Sequence, residues 1–128
     1  MTGGGYAMGI LGKLLSLIKS MSESEVRDFQ ELLKVKFGFS RFIYTTSEGL
    51  LILGNFEDNE ELSAKVPEML KLLSELEDST SYLIQAGEHV YSLVKITDDV
   101  LMLGKGNKIL DKNDINALIR LTKDNFRL

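Results

Sequence analysis

His89 is the only histidine in the chain, and it follows Glu88 at a glycine-containing turn. An imidazole can move protons, but a zinc centre needs three or four ligands, and none stand at ligand spacing from it. No serine sits in a nucleophile-elbow sequence. Residues 104–108 read GKGNK, which brings glycine and lysine together as a phosphate cradle would. The P-loop spacing and its trailing Ser/Thr are missing, so the stretch reads as a loop into the last helix. The acidic run EDNEE at 57–61 lacks the glycine and the distal glutamate of a calcium loop. It fits a solvated helix start, where carboxylates meet the positive end of the dipole. Asp98 and Asp99 read as turn residues. Phe42 and Tyr44 could stack on bases, yet the net charge of −4 argues against nucleic acid. With no cysteine, disulfides, thiol nucleophiles and cysteine-based metal sites are excluded together. No catalytic residue, metal ligand or cofactor is assigned. The chain reads as non-enzymatic, so its function has to be sought in its surfaces.

The elements that build those surfaces are well marked. The 128 residues fit one domain, and 44% are hydrophobic, enough for a core without metals or disulfides. Ser22 and Glu25 stand at capping-box spacing and open a helix over about 23–36. Val26, Phe29, Leu33 and Phe37 form its stripe, and Gly38 is a natural stop. Phe39–Thr46 and Leu50–Leu53 are strands joined at Ser47-Glu48-Gly49, where Gly49 can take positive φ. Both are continuously apolar in part, the pattern of strands covered on two faces. Asp58 and Glu61 repeat the capping spacing ahead of a helix with the stripe Leu62, Val66, Met69, Leu70, Leu73 and Leu76. Pro67 interrupts it. Either the helix kinks near Ser63 or its regular part starts at about residue 63. Three strands follow, Thr80–Ala86, His89–Ile96 and Val100–Gly104. Asp111 then caps a final helix with the stripe Ile115, Leu118, Ile119, Thr122 and Phe126. The order predicts an α+β fold. It has a five-stranded antiparallel sheet, the middle helix crossing one face and the terminal helices covering the other.

The hairpin FIYTTSEGLLILGNF, the helix EELSAKVPEMLKLLSELE, the meander TSYLIQAGEHVYSLVKITDDVLMLGKG and the closing helix DKNDINALIRLTKDNF together resemble a roadblock-type domain. That is the profilin-like fold of dynein roadblock light chains and of many small-GTPase regulators. The resemblance covers about residues 22–128. It implies a homodimer, or a heterodimer with a related roadblock protein, that binds or regulates a Ras-like GTPase as scaffold or activator. It also implies that the second strand and Thr80–Ala86 lie at the sheet edges, with Thr80–Ala86 pairing across the dimer. Thr80–Ala86 itself holds neither proline nor lysine, the usual protection of an exposed edge. Tyr82, Leu83 and Ile84 are therefore candidates for the dimer interface. Met69 and Leu73 are candidates for a helix–helix contact, or else simply pack on their own sheet. Arg41 is a poor candidate for an arginine finger and reads as a structural or exposed charge. The alternative is a PAS-like or longin-like sensor or adaptor, which would bind a small ligand or another protein.

Residues 1–21 stand before this region as a glycine-rich, flexible start and an amphipathic helix. The stripe Ile10, Leu11, Leu14, Leu15, Leu17, Ile18 and Met21 fills roughly 160° of a helical wheel. The segment contains Lys13 and Lys19 and no acid. It is a candidate to pack on its own dimer, to enter a partner's groove, or to lie peripherally on a membrane, for which two lysines are few. No apolar run approaches the roughly 18 residues of a membrane span. The absence of cysteine and of an Asn-x-Ser/Thr site fits a cytoplasmic protein.

Overall fold

A computed structural model describes residues 21–128. The candidate amphipathic helix, with Ile10, Leu11, Leu14, Leu15 and Ile18, lies outside the described residues. The element order is α1 (Glu23–Phe37), β1 (Phe39–Thr46), β2 (Leu51–Gly54), α2 (Asn59–Leu76), β3 (Ser81–Ala86), β4 (His89–Lys95), β5 (Val100–Gly106) and α3 (Lys112–Phe126). All strand pairs are antiparallel, in the order β2-β1-β5-β4-β3. The fold class matches the sequence reading, and so do the two edges.

Local chemistry explains most boundaries. Ser22 Oγ accepts from the Glu25 N–H at 3.1 Å, and the Glu25 carboxylate accepts from the Ser22 N–H at 3.4 Å. Asp111 and Asp114 form the same reciprocal box ahead of α3. Each box satisfies two backbone donors that a helix start otherwise leaves open. Gly38 ends α1 at φ 74°, its N–H turned back to the Leu33 and Lys34 carbonyls. Gly49 takes φ 89° in the β1–β2 turn, which lies directly on α2.

The sheet separates two cores. Phe42 and Tyr44 of β1, Met102 of β5 and Val94 of β4 face α1 and α3, packing with Phe29, Leu33, Leu118 and Phe126. Ile43, Leu93, Leu101 and Leu103 face α2 and pack around Val66. The continuous apolar runs of β1 thus serve both faces. Tyr44 and Thr122 share a buried 2.7 Å hydrogen bond beneath the aromatic cluster. Burial pushes the Tyr44 phenol well above its ordinary range, with the Thr122 bond pulling the other way. The ring therefore stays neutral and acts as packing, not as an acid or base.

Four sequence expectations need correction. The helix α2 runs unbroken from Asn59, with Pro67 inside it. Proline removes the N–H that the Ser63 carbonyl would accept. Thr45 Oγ1 lies 3.3 Å from that carbonyl oxygen and also reaches the Leu50 carbonyl at 2.9 Å. The hydroxyl has one proton, with the Thr46 carbonyl also at 3.1 Å, so the strand offers the Ser63 carbonyl only a shared donor. Thr45→Val should therefore cost about 1–2 kcal/mol, read from denaturant unfolding with an unchanged m-value. Asp58 stands at the N-cap but makes no side-chain cap bond. Asn59 organises that corner instead: its Oδ1 accepts from the Phe56 N–H and its Nδ2 donates to the Gly54 carbonyl. Leu76 is not part of the buried stripe, being 83% exposed. Finally, β5 continues beyond Gly104, where the sequence reading ends the strand, through Lys105 and Gly106. Those glycines are not turn formers. A Cβ at Gly104 would lie 2.6 Å from the Phe39 ring, and one at Gly106 would lie 2.5 Å from the Gly38 carbonyl oxygen. They let α1 and β1 approach the strand closely.

Candidate interaction surface

The residues first considered for chemistry are dispersed or already engaged. His89 is half-buried at the start of β4, beside a shallow hollow lined by Gly38, Ser40, Glu88, Gly106 and Asn107. Among the described residues, no group of three His, Asp or Glu side chains is placed to hold a metal ion. Arg41 donates through Nη1 to the Asn55 carbonyl at 3.0 Å, tying β1 to the end of β2. A cleft of about 300 Å³ beside α2 gathers Lys71, Ser74, Ser79, Lys95 and Asp98. Several of its polar groups are already engaged. Ser74 Oγ donates to the Lys71 carbonyl, Ser79 Oγ to the Ser81 carbonyl, and Lys95 pairs with Asp98 at 3.6 Å.

Apolar surface is concentrated elsewhere. Strand β3 pairs only with β4, so its outer row of N–H and C=O groups is open. Tyr82 and Ile84 lie on the α2 face, opposite Leu93 and Tyr91 in register. Both are half-buried. Tyr82 holds its place by donating from its hydroxyl to the Glu77 carbonyl, while the hydroxyl oxygen accepts from the Ser79 N–H. Leu83 points to the other face and is 39% exposed. The register slot beside it is therefore both unpaired and apolar, a template for another strand.

Helix α2 adds a second apolar strip. Met69 and Leu73 are half-buried and pack against the core beneath them. Leu72 and Leu76 are 64% and 83% exposed. Met69, Leu72 and Leu76 recur at spacings of three and four, so they form one flank of the helix beside the buried stripe. Met69 joins the two strips. The sequence pattern does not single out Leu72, and it assigns Leu76 to the core. The available signal is a helix with more leucines than one stripe can bury.

No protein-family model matches the chain, and no curated protein matches it in sequence. Solved structures do match. MglB of Myxococcus xanthus superposes on 82% of this chain and 94% of its own, with a TM-score of 0.61 at 10% identity. The gliding protein MglB of Thermus thermophilus covers 81% of this chain and 87% of its own, with a TM-score of 0.61 at 9% identity. A Roadblock/LC7 domain of Streptomyces avermitilis covers 70% of this chain and 87% of its own, with a TM-score of 0.54 at 8% identity. The fold is of the roadblock type. The roadblock sheet of this chain leaves β3 as an unpaired, lysine-free edge, and its α2 carries an exposed apolar strip. Among the described residues, no helix is long and apolar enough to cross a membrane.

Proposed function

We propose that this protein is a non-catalytic, dimeric interaction module that binds or regulates a small Ras-like GTPase in the cytoplasm. The observation that carries the reading is the open, lysine-free edge of β3, to which α2 adds an exposed apolar flank of Met69, Leu72 and Leu76. Two copies joined edge to edge at β3 would continue the sheet and bring their α2 flanks together. Backbone pairing would supply affinity, and side chains at alternate positions would supply specificity. The pair could equally be formed with a related roadblock protein. The roadblock fold supports the GTPase reading, since many regulators of small GTPases are built on it. The polar cleft beside α2, with its lining already bonded internally, gives less support to a small-ligand sensor.

The GTPase reading is tested by capture. The full chain is immobilised and offered Ras-like GTPases of its source organism, loaded with GDP or with a non-hydrolysable GTP analogue. Retention of one GTPase in a nucleotide-dependent manner is expected. If none is retained in either state, the GTPase assignment falls and a structural scaffold is favoured.

A further inference from the structure

The charge of the molecule is divided between its ends. Residues 34–41 and 105–110 contain Lys34, Lys36, Arg41, Lys105 and Lys108 and no acid. The net charge of the whole chain is −4, so everything outside these five cations carries −9. The fold brings the two segments together. Phe39 and Arg41 of β1 pair in register with Gly106 and Lys105 of β5. A Cβ at Gly38 would stand 3.5 Å from the Lys108 Cβ. Among the described residues, the ion pairs are Lys65–Glu61 and Lys95–Asp98, so none of these cations is neutralised there. The nearest acids are Asp111, two residues after Ile109 and engaged in capping α3, Glu31, one turn before Val35, and Glu88, on the rim of the neighbouring hollow.

Two apolar side chains stand out among these lysines. Val35, between Lys34 and Lys36, is 72% exposed, and Ile109, next to Lys108, is 71% exposed. Val35 lies on the outward side of α1, since Leu33 and Phe37 on the other side are buried. Ile109 precedes Leu110, which enters the core. Exposed apolar residues flanked in sequence by unpaired lysines need no complementary cavity in a partner. A lipid surface meets both demands, with anionic headgroups for the lysines and the headgroup boundary for the apolar tips.

We propose that this end of the molecule, built from the C-terminus of α1, the start of β1 and the segment around Lys105–Ile109, is a contact site for anionic membrane. The sequence reading of residues 8–21 finds too few lysines for membrane attachment by that segment alone. The basic end contributes the larger share of the charge.

The test is co-flotation of the full chain with phosphatidylserine-containing vesicles and with phosphatidylcholine vesicles. Binding to the anionic vesicles alone, weakened by salt, is expected. Lys34→Gln/Lys36→Gln/Lys108→Gln should reduce it about ten-fold or more, and Val35→Ser/Ile109→Ser should also reduce it. These side chains are exposed, and unchanged thermal melting of the variants confirms that they fold. Failure of the full chain to float, or equal flotation of the triple-lysine variant, overturns the proposal. Retention on immobilised polyglutamate without flotation also overturns it, and assigns the patch to an acidic polypeptide.

Discussion

Phe29→Ala is expected to remove about 3–5 kcal/mol of unfolding free energy. Phe29 is fully buried in α1, and its ring lies 5.5 Å from that of Phe126, 5.8 Å from Tyr44 and 6.4 Å from Phe42. It therefore joins α1, α3 and β1 at one point. Alanine would leave a cavity bounded by three rigid rings, and the Tyr44–Thr122 hydrogen bond holds one of them in place. A site held in this way collapses poorly, which puts the loss at the upper part of the range. A domain of this size has about 5–15 kcal/mol in total, so the variant should melt well below the wild type. Thermal unfolding followed by circular dichroism reads this directly. A melting temperature within a few degrees of wild type would mean that the terminal-helix layer packs otherwise than described.

Gly106→Ala is expected to cost about 2–3 kcal/mol although it adds a single methyl group. The added Cβ would lie 2.5 Å from the Gly38 carbonyl oxygen and 3.2 Å from the Gly38 carbonyl carbon. These are backbone atoms. Gly38 is fixed by its left-handed conformation and by its N–H bonds to α1, so it has little room to retreat. The end of β5 would separate from the start of β1 instead, breaking the Phe39–Gly106 pairing. Gly87→Ala is the natural control. Gly87, unlike Gly106, is in a positive-φ conformation, at 63°, so alanine there meets backbone strain, but its Cβ would meet nothing within 4 Å. Chemical denaturation should show Gly106→Ala clearly below Gly87→Ala. The reverse order would contradict the close approach of β1 and β5.

The same glycines show where the sequence can and cannot be read. Gly38 and Gly49 follow amphipathic or strand patterns and mark ends, so their roles are visible locally. Gly104 and Gly106 serve close packing, which depends on a ring and a carbonyl from residues more than sixty positions away. Local pattern alone makes them a loop. Pro67 is a similar case. Its cost is local and legible, but its partial compensation comes from Thr45 on another element. The two-sided sheet is legible because Phe42–Tyr44 and Leu50–Leu53 are apolar on both parities, whereas the strand order rests on the resemblance to roadblock-type domains. The candidate surface is legible only in half. An edge without proline or lysine is a property of β3 itself, whereas the α2 flank is defined by what the sheet leaves uncovered. Periodicity places Leu76 with the core because it repeats the spacing of Leu73 and Leu70. In the structure Leu76, the last residue of α2, is exposed.

The central claim is self-association through the β3 edge and the α2 flank. Sedimentation equilibrium of the wild type beside Leu83→Lys/Leu76→Glu tests it most directly. Both side chains are exposed in the protomer, so the substitutions leave its core intact. A lysine on the edge strand blocks strand addition, and a carboxylate on each flank sets like charges facing each other. The wild type should sediment as a dimer at micromolar concentration, and the double variant should dissociate at least about ten-fold more readily. A wild type that remains monomeric, or a double variant as dimeric as the wild type, would contradict the account.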